Sequence, residues 1–418
     1  MLKRSPASRP VLRLGNIRRT NRAVILQLLR YDEELSRADI ARQSGLSEPA
    51  TSRIIAGLIR DGLVFDSGNE KPTGGRPGRR LQLNPRRVAL GVEIDNLETR
   101  FAVTNMRGGI IETWSLPTPS DAQAAIELVA SEVLRRRKIA GMERIPGIGI
   151  CMRGIVDSRS GVLVQGNRPE WARVAVRSIL EARLDEPVYV DNDVRAAAQA
   201  EYSFGPSEVR AAHCLIFLGV NEGVGATILL DGKIHYGPRM AAGEFGQMLL
   251  CPSLDEAAGR EICLEELTAN GAICERYRAL SAGTGRLLKG DASAGVRQIA
   301  QWAAEGDEIA HKSLEETALH LGTGIANMVW GLDADVVVVD GAITRAWQII
   351  SPLLRKRLPD VYQASRLPVL LRPSALGGDA AVIGAASMPF HPVFASTDPI
   401  PRLTSDVPIR ERAARAAL

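Results

Sequence analysis

One arrangement occurs twice between Val88 and Gly341, and it restricts the possible folds more than any other feature of the 418 residues. The first copy opens with "ALGVEIDNLETRFAVTNMRGGIIETWSLP", which reads as two or three antiparallel strands turning at Gly108-Gly109. A helix follows over Ala122 to Lys138. "PGIGICMRGIVD" is then a buried strand, and "PVYVDNDVRAAAQAEYSFG" is a strand whose polar end enters a helix. The second copy begins at "AAHCLIFLGVNEGVGATILLDGKIHYG", again a strand, a glycine-containing turn, a strand and a hairpin. Its long helix, Ile309 to Trp330, feeds the strand Val336–Val339 and then Gly341. Two related α/β halves, each opening on hairpin strands, predict one duplicated, two-lobed domain.

The chain ahead of Val88 has a different texture. Val24, Ile25, Leu28 and Leu29 recur at helical spacing behind Thr20 or Asn21, either of which can cap the helix. Ser36 and Asp39 form a capping-box-like pair at the start of a second helix. Gly45 supplies the positive φ that a tight turn needs. Ser47 then caps a third helix with Pro49 in its first turn and an apolar stripe of Ile54, Ile55, Leu58 and Ile59. "GLVF" and "LQL" read as two strands flanking "KPTGGRPGRR". Three helices and a hairpin describe a winged helix-turn-helix, although a purely structural three-helix bundle shares the helical part of the pattern.

Charge favours the first of these. Residues 1–87 carry 18 Lys and Arg against 8 Asp and Glu, a net +10, whereas the remainder carries 34 against 40, a net −6. A basic head on an acidic body expects a polyanionic partner for the head alone. Six basic residues and no acidic one lie between Lys71 and Arg87. The strip Gly75-Arg76-Pro77-Gly78-Arg79 suits a narrow minor groove, and a flexible basic linker is the bland alternative. Ser47, Glu48, Thr51, Ser52 and Arg53 stand at the start of the third helix, where base edges and phosphates are read. Arg19, Arg22, Arg37, Arg53 and Arg80 are expected on phosphates, with Arg76 and Arg79 in the groove. One such head covers a half-site, so a homodimer or homotetramer on double-stranded DNA is expected. No stretch approaches the roughly 20 apolar residues that span a bilayer, and no apolar segment marks a secretory leader. Five scattered cysteines form no disulfide framework, which fits a reducing cytoplasm.

The sequence from about residue 17 to 388 resembles the ROK family of bacterial repressors, open reading frames and sugar kinases. The resemblance rests on "RRTNRAVILQLLR", "LSRADIARQSGLSEPATSRIIAGLIRDGLV" and "GRPGRRLQLN" in the head, and on "VDNDVRAAAQAE", "GVGATILLDGKIHYGPRMAAGEFGQ" and "CLEE" in the body. It implies a winged helix-turn-helix over 17–87, after an arm at 1–16. An actin- and sugar-kinase-like (ribonuclease H-like) sensor over 88–388 and a tail at 389–418 complete the expected layout. Asn192 and Asp193 resemble the pair that holds the sugar, and Asp193 stands where the family's kinases keep their general base. Glu244 and Glu265 resemble the residues that bind ring hydroxyls. Capping of a helix is the rival role for Asn192 and Asp193.

The departures from the pattern carry the functional expectation. The phosphate loop D-x-G-G-T is matched by Asp95-Asn96-Leu97-Glu98-Thr99, with side chains for both glycines and an acid at Glu98. A second phosphate turn reads Gly219-Val220-Asn221-Glu222-Gly223 and gains another acid. Gln247 replaces a zinc-binding His, and of the cysteines only Cys263 aligns. Neither zinc nor ATP is therefore expected as a cofactor, Asp193 becomes a vestigial base position, and Gln247 is left to bind a ligand. The expectation is a DNA-binding regulator of carbohydrate-related genes, most simply a repressor, controlled by a sugar or related small molecule. A DNA-tethered sugar kinase and a regulator switched by a protein partner are the alternatives.

Overall fold

The computed structural model describes residues 14–32, 35–69, 79–137, 145–166, 169–251, 261–282, 286–358 and 368–394. The head comprises α1 (Leu14–Tyr31), β1 (Leu35–Ser36), α2 (Arg37–Ser44), α3 (Glu48–Arg60), β2 (Val64–Asn69) and β3 (Arg79–Leu83). Thr20 and Asn21 do not cap α1. They lie inside it, because nothing in Ile17-Arg18-Arg19 opposes helix and the helix continues toward the N-terminus. Ser36 caps α2 as expected: its Oγ accepts the Asp39 N–H at 3.2 Å, and the Asp39 carboxylate accepts the Ser36 N–H at 3.2 Å. Gly45 ends α2 at φ 69°, which only glycine adopts without strain. β2 and β3 pair antiparallel, and β1 adds to the other side of β3, making the winged sheet β1-β3-β2.

The first lobe contains β4 (Val88–Ile94), β5 (Glu98–Asn105), β6 (Ile110–Pro117), α4 (Ala122–Arg137), β7 (Ile148–Met152), the small hairpin of β8 (Ile155–Asp157) and β9 (Val162–Gln165), α5 (Val176–Leu184) and β10 (Val188–Asn192). α6 (Asp193–Phe204) and α7 (Ser207–Arg210) lead to the second lobe. There β11 (Cys214–Val220), β12 (Val224–Leu230) and β13 (Lys233–Ile234) precede β14 (Leu249–Cys251), β15 (Ile262–Cys263) and α8 (Leu264–Thr268). α9 (Asn270–Ser281), α10 (Ala292–Ala304), α11 (Glu308–Leu332), β16 (Val336–Asp340), α12 (Trp347–Arg357), β17 (Leu370–Pro373), α13 (Ala380–Ser387) and α14 (His391–Phe394) complete the described chain.

The duplication is visible in the sheets. Their orders are β10-β7-β4-β5-β6 and β13-β12-β11-β16-β17. In each, three antiparallel strands are extended by two parallel ones, as the twofold pattern predicts. The helix after each lobe crosses to the other. Ala197 and Ala198 of α6 join the core under β11, β12 and β16. α13 lies on the first sheet at the paired residues Gly91 and Gly149, where a Cβ would overlap the carbonyl oxygens of Val382 and Ala385. This arrangement brings α6 and α13 together between the lobes and sets Asn192 and Asp193 at the C-terminal end of β10.

Candidate functional site

The reading head presents one face of α3. Glu48, Ser52 and Arg53 are exposed, with Ser47 just before them. Thr51 is a correction: it is fully buried, one turn from Ile55 and two from Leu58, and its methyl joins the core stripe. Ser47 sits at the N-cap position in extended backbone, but its side chain makes no capping hydrogen bond, and its own carbonyl accepts the Thr51 N–H at 2.9 Å. The basic residues divide into two groups. Arg19 and Arg53 are exposed and Arg37 half-buried. Arg22 pairs with Asp61 at 2.7 Å, tying α1 to the end of α3, and its side chain stays 36% exposed. Arg79 reaches Asp66 at 3.3 Å across the wing and stays largely exposed, with Arg80 beside it on β3. Arg76 lies outside the described residues. Arg60, exposed at the end of α3, adds a cation that the motif reading did not single out.

The cleft forms where β10 meets α6. Asn192 caps α6 with its Oδ1 accepting the Arg195 N–H at 3.0 Å. Its Nδ2 donates to Asp193 Oδ1 at 2.8 Å and to the Gly154 carbonyl at 3.1 Å. The capping role is therefore the one Asn192 fulfils, and through it the side chain also orients Asp193. Burial pushes the Asp193 carboxyl above the usual carboxylate range, opposed by the Arg153 guanidinium. Burial does the same to Glu244; Arg195 opposes this, and the carboxylates of Glu265 and Asp193 add to it. The charges of Asp193 and Glu265 thus both act on Glu244. Glu265 accepts the Val224 N–H at 2.8 Å and lies 3.5 Å from the Gln247 Nε2, so it also braces the start of β12.

Behind these residues lies a polar network that the motif reading missed. Arg195 is 4% exposed. Its Nη1 donates to Asp191 Oδ1 at 3.0 Å and to the Val156 carbonyl at 3.1 Å, and its Nη2 donates to the Met240 carbonyl. Ser158 Oγ donates to Asp191 Oδ1 at 2.6 Å and Tyr236 Oη to Asp191 Oδ2 at 3.0 Å. Asp191 and Arg195 flank Asn192-Asp193 in sequence and were within reach of inspection. Nothing in sequence links Ser158 or Tyr236 to them.

The turn between β4 and β5 is filled. Arg153 clamps Asp95 through its Nε at 2.8 Å and its Nη2 at 2.9 Å. Glu98, expected beside phosphates, instead faces β6 and accepts the Ser115 hydroxyl. The second acid near the turn is Glu93, whose carboxyl burial pushes up to about 7 and which meets Arg100 at 3.2 Å. Asn221 and Glu222 occupy the β11–β12 turn, with Glu222 exposed. Both turns carry side chains, Asn96, Leu97 and Glu98 in one and Asn221 and Glu222 in the other, where phosphate-binding turns usually present glycine backbone N–H groups. At the zinc corner Gln247 offers an amide where the metal takes imidazole or thiolate. Among the described residues no group of three His, Cys, Asp or Glu side chains is placed to hold a metal. Residues 252–260, next to Cys251, lie outside the described set. His213 pairs with Asp231 at 3.1 Å on the surface, and Trp171 is buried with its Nε1 donating to the Ser120 carbonyl at 2.7 Å.

Comparison with known proteins covers nearly the whole chain. A "Xylose repressor" of Caldicellulosiruptor bescii is 26% identical over 389 residues, 90% of this chain and 97% of its own length. The "DNA-binding transcriptional dual regulator NagC" of Escherichia coli K12 is 26% identical over 354 residues, 82% of this chain and 86% of its own. A crystal structure described as a ROK family transcriptional regulator, homolog of the E. coli MLC protein, superposes with a TM-score of 0.73 at 22% identity over 91% of this chain and 97% of that one. A ROK family glucokinase from Streptomyces griseus, in complex with glucose and AMPPNP, superposes on 72% of this chain and 98% of its own, with a TM-score of 0.61 at 24% identity. The model of winged helix-turn-helix DNA-binding domains matches residues 19–64, and that of the ROK family matches 89–390. The chain belongs to the ROK family and carries a winged helix-turn-helix ahead of its two-lobed domain.

Proposed function

We propose that this protein is a transcription regulator, most simply a repressor of carbohydrate-related genes. Its cleft recognises a monosaccharide or close derivative and does not phosphorylate it. The observation that carries this reading is the contrast within one cleft. The charges of Asp193 and Glu265 both act on Glu244, a set of acceptors suited to ring hydroxyls, while Asp95 at the β4–β5 turn is held by Arg153. A ring of acceptors is selective, because a wrong sugar leaves buried acceptors unpaired. Relatives named as a xylose repressor and as the regulator NagC support a sugar-responsive regulator. In this reading neither zinc nor ATP is a cofactor. The protein acts as a homodimer or homotetramer in the cytoplasm, with paired heads on a pseudo-palindrome. No helix among the described residues is long and apolar enough to cross a membrane.

Thermal denaturation with D-xylose, D-glucose, N-acetyl-D-glucosamine and their phosphates tests the cleft, since a ligand of the folded state raises the melting temperature. At least one is expected to do so in the wild type and not in E244A. A phosphorylation assay with ATP and magnesium addresses the second reading, a DNA-tethered kinase, which the presence of Asp193 at the base position favours. Turnover above background, lost in D193N, would replace the sensor reading by the enzyme.

A further inference from the structure

α6 has both ends in functional places. Its first turn holds Asp193 and Arg195 in the cleft, and its last residue, Phe204, faces the DNA-binding head. The 12-residue helix spans about 18 Å at 1.5 Å per residue. At the cleft end, Arg195 joins α6 to β8 through the Val156 carbonyl and to the segment carrying Glu244 through the Met240 carbonyl. Met240 itself has φ 57°, a conformation a side-chain-bearing residue adopts only when its surroundings hold it. In its last turn, Glu201 is fully buried and accepts from Ser374 Oγ at 2.9 Å, Ala375 N at 2.9 Å and Leu376 N at 3.2 Å. α6 is therefore a stiff rod fixed to the segment that leads into α13, and the two helices meet where a Cβ on Gly384 would overlap the Ala196 carbonyl.

At its far end α6 meets α1. The Arg30 guanidinium of α1 lies 3.4 Å from the ring centroid of Phe394 in α14 and 5.1 Å from that of Phe204. Among the described residues its Nε and Nη2 are out of contact with solvent and have no hydrogen-bond partner. Burial lowers the Arg30 pKa to about 10. Arg210, which donates to the Gly205 carbonyl just after α6, sits 4.5 Å from the Tyr31 ring. Arg107 donates to the Leu29 and Asp32 carbonyls at 2.7 and 2.9 Å, covering the end of α1. A cation held mainly by aromatic faces, with two donors unsatisfied, is a weakly committed contact that a small movement of one ring can re-set.

We propose that α6 transmits the state of the cleft to the DNA-binding head: movement of its first turn at Asp193 and Arg195 displaces Phe204 and re-seats α1 through the Phe204–Arg30–Phe394 stack. This assigns to the cleft of the preceding reading its route of regulation, and it rests on that reading only for the identity of the natural trigger. The coupling requires one element whose position both ends bias, and α6 is that element.

Amide hydrogen exchange on the full chain tests the link without a ligand. R195Q, which frees the cleft end, is expected to raise exchange in the last two turns of α1 at least fivefold. In R195Q with F204L the same perturbation is expected to change α1 less than twofold relative to F204L alone. R195K and F204M serve as the second pair if either first variant loses its cooperative unfolding transition. Loosening confined to the first turn of α6, with α1 unchanged, overturns the proposal. D-xylose and N-acetyl-D-glucosamine form a separate arm. A sugar that protects the cleft and also alters α1 exchange in the wild type but not in F204L supports the link, and one that protects the cleft and leaves α1 unchanged overturns it. If neither sugar protects the cleft, the sugar reading fails for those two sugars, and the R195Q arm still decides the link.

Discussion

Thr51 shows how a residue can be misplaced by a correct motif. The start of α3 was legible from Ser47, Pro49 and the apolar residues that follow, and polar residues there are read as base-contacting. Thr51, however, shares a stripe with Ile55 and Leu58, and all three are fully buried. A threonine is half methyl, so composition cannot say which face it takes. Among the described residues its Oγ1 is buried without a partner, which costs about 1–3 kcal/mol in general. T51V is therefore expected to raise stability by about 1 kcal/mol, seen as a higher urea midpoint at unchanged slope, with DNA affinity within twofold of wild type. A loss of stability would show that the hydroxyl has a partner. Glu93 gives a second residue-scale prediction. Its carboxyl is raised by burial from 4.5 to about 7, so the folded state binds this proton more tightly than the unfolded chain does. The stabilisation is full below about pH 4.5 and is lost as pH rises through about 7. E93Q should therefore be more stable than the wild type at pH 8, by about 1–3 kcal/mol in urea unfolding, with the gap closing near pH 5. A gap independent of pH would refute the assignment. No sequence pattern announced Glu93; its character comes from its burial in the folded chain.

At the scale of elements, both hairpin-led sheets, the capping box at Ser36 and the wing strands were legible, because period-two apolar runs and turn glycines are local signals. The exchange of α6 and α13 between lobes was not, since it depends on Gly91 and Gly149 becoming neighbours only when β4 and β7 pair. That close approach predicts a large response to a single methyl. G149A would drive a Cβ into the Ala385 carbonyl, backbone against backbone, and is expected to cost about 3 kcal/mol or more by urea unfolding. A cost under 1 kcal/mol would mean that α13 can shift without penalty. The outer face of α3 makes the complementary prediction. Arg53 is exposed on α3, so R53A should leave the melting temperature unchanged and weaken duplex binding, with a shallower dependence of log affinity on log salt. Unchanged binding and slope would remove α3 from the DNA interface.

The whole molecule departs from a chain of independent domains. The sequence placed a boundary at residue 87, where composition and charge change, and a tail after residue 388, where the family resemblance ends. The head's core ignores both borders. Val24, Ile25, Leu28, Leu29, Ile40, Ile55 and Leu58 are packed in one cluster with Ala89 and Met106 of the first lobe and with Phe390 and Phe394 near the end of the described chain. Fully burying a phenylalanine side chain stabilises a fold by about 1.5–3 kcal/mol, and a small domain has only about 5–15 kcal/mol in total. Removing both phenylalanines, and the Arg107 cap on α1 with them, takes a substantial share of what holds the head together. A fragment ending at Arg87 is therefore expected to lose its cooperative transition, with helical circular dichroism that melts gradually and DNA affinity at least tenfold below that of the full chain. F390A and F394A in the full chain should shift in the same direction by smaller amounts, and the double variant should weaken DNA binding while the lobes still unfold cooperatively. The rival picture, a self-sufficient head on a linker, requires the fragment to unfold as sharply, and at the same temperature, as the head does within the whole protein. That result would also leave the α6 route without a rigid seat to move, because a head indifferent to Phe394 gains nothing from being gripped by it.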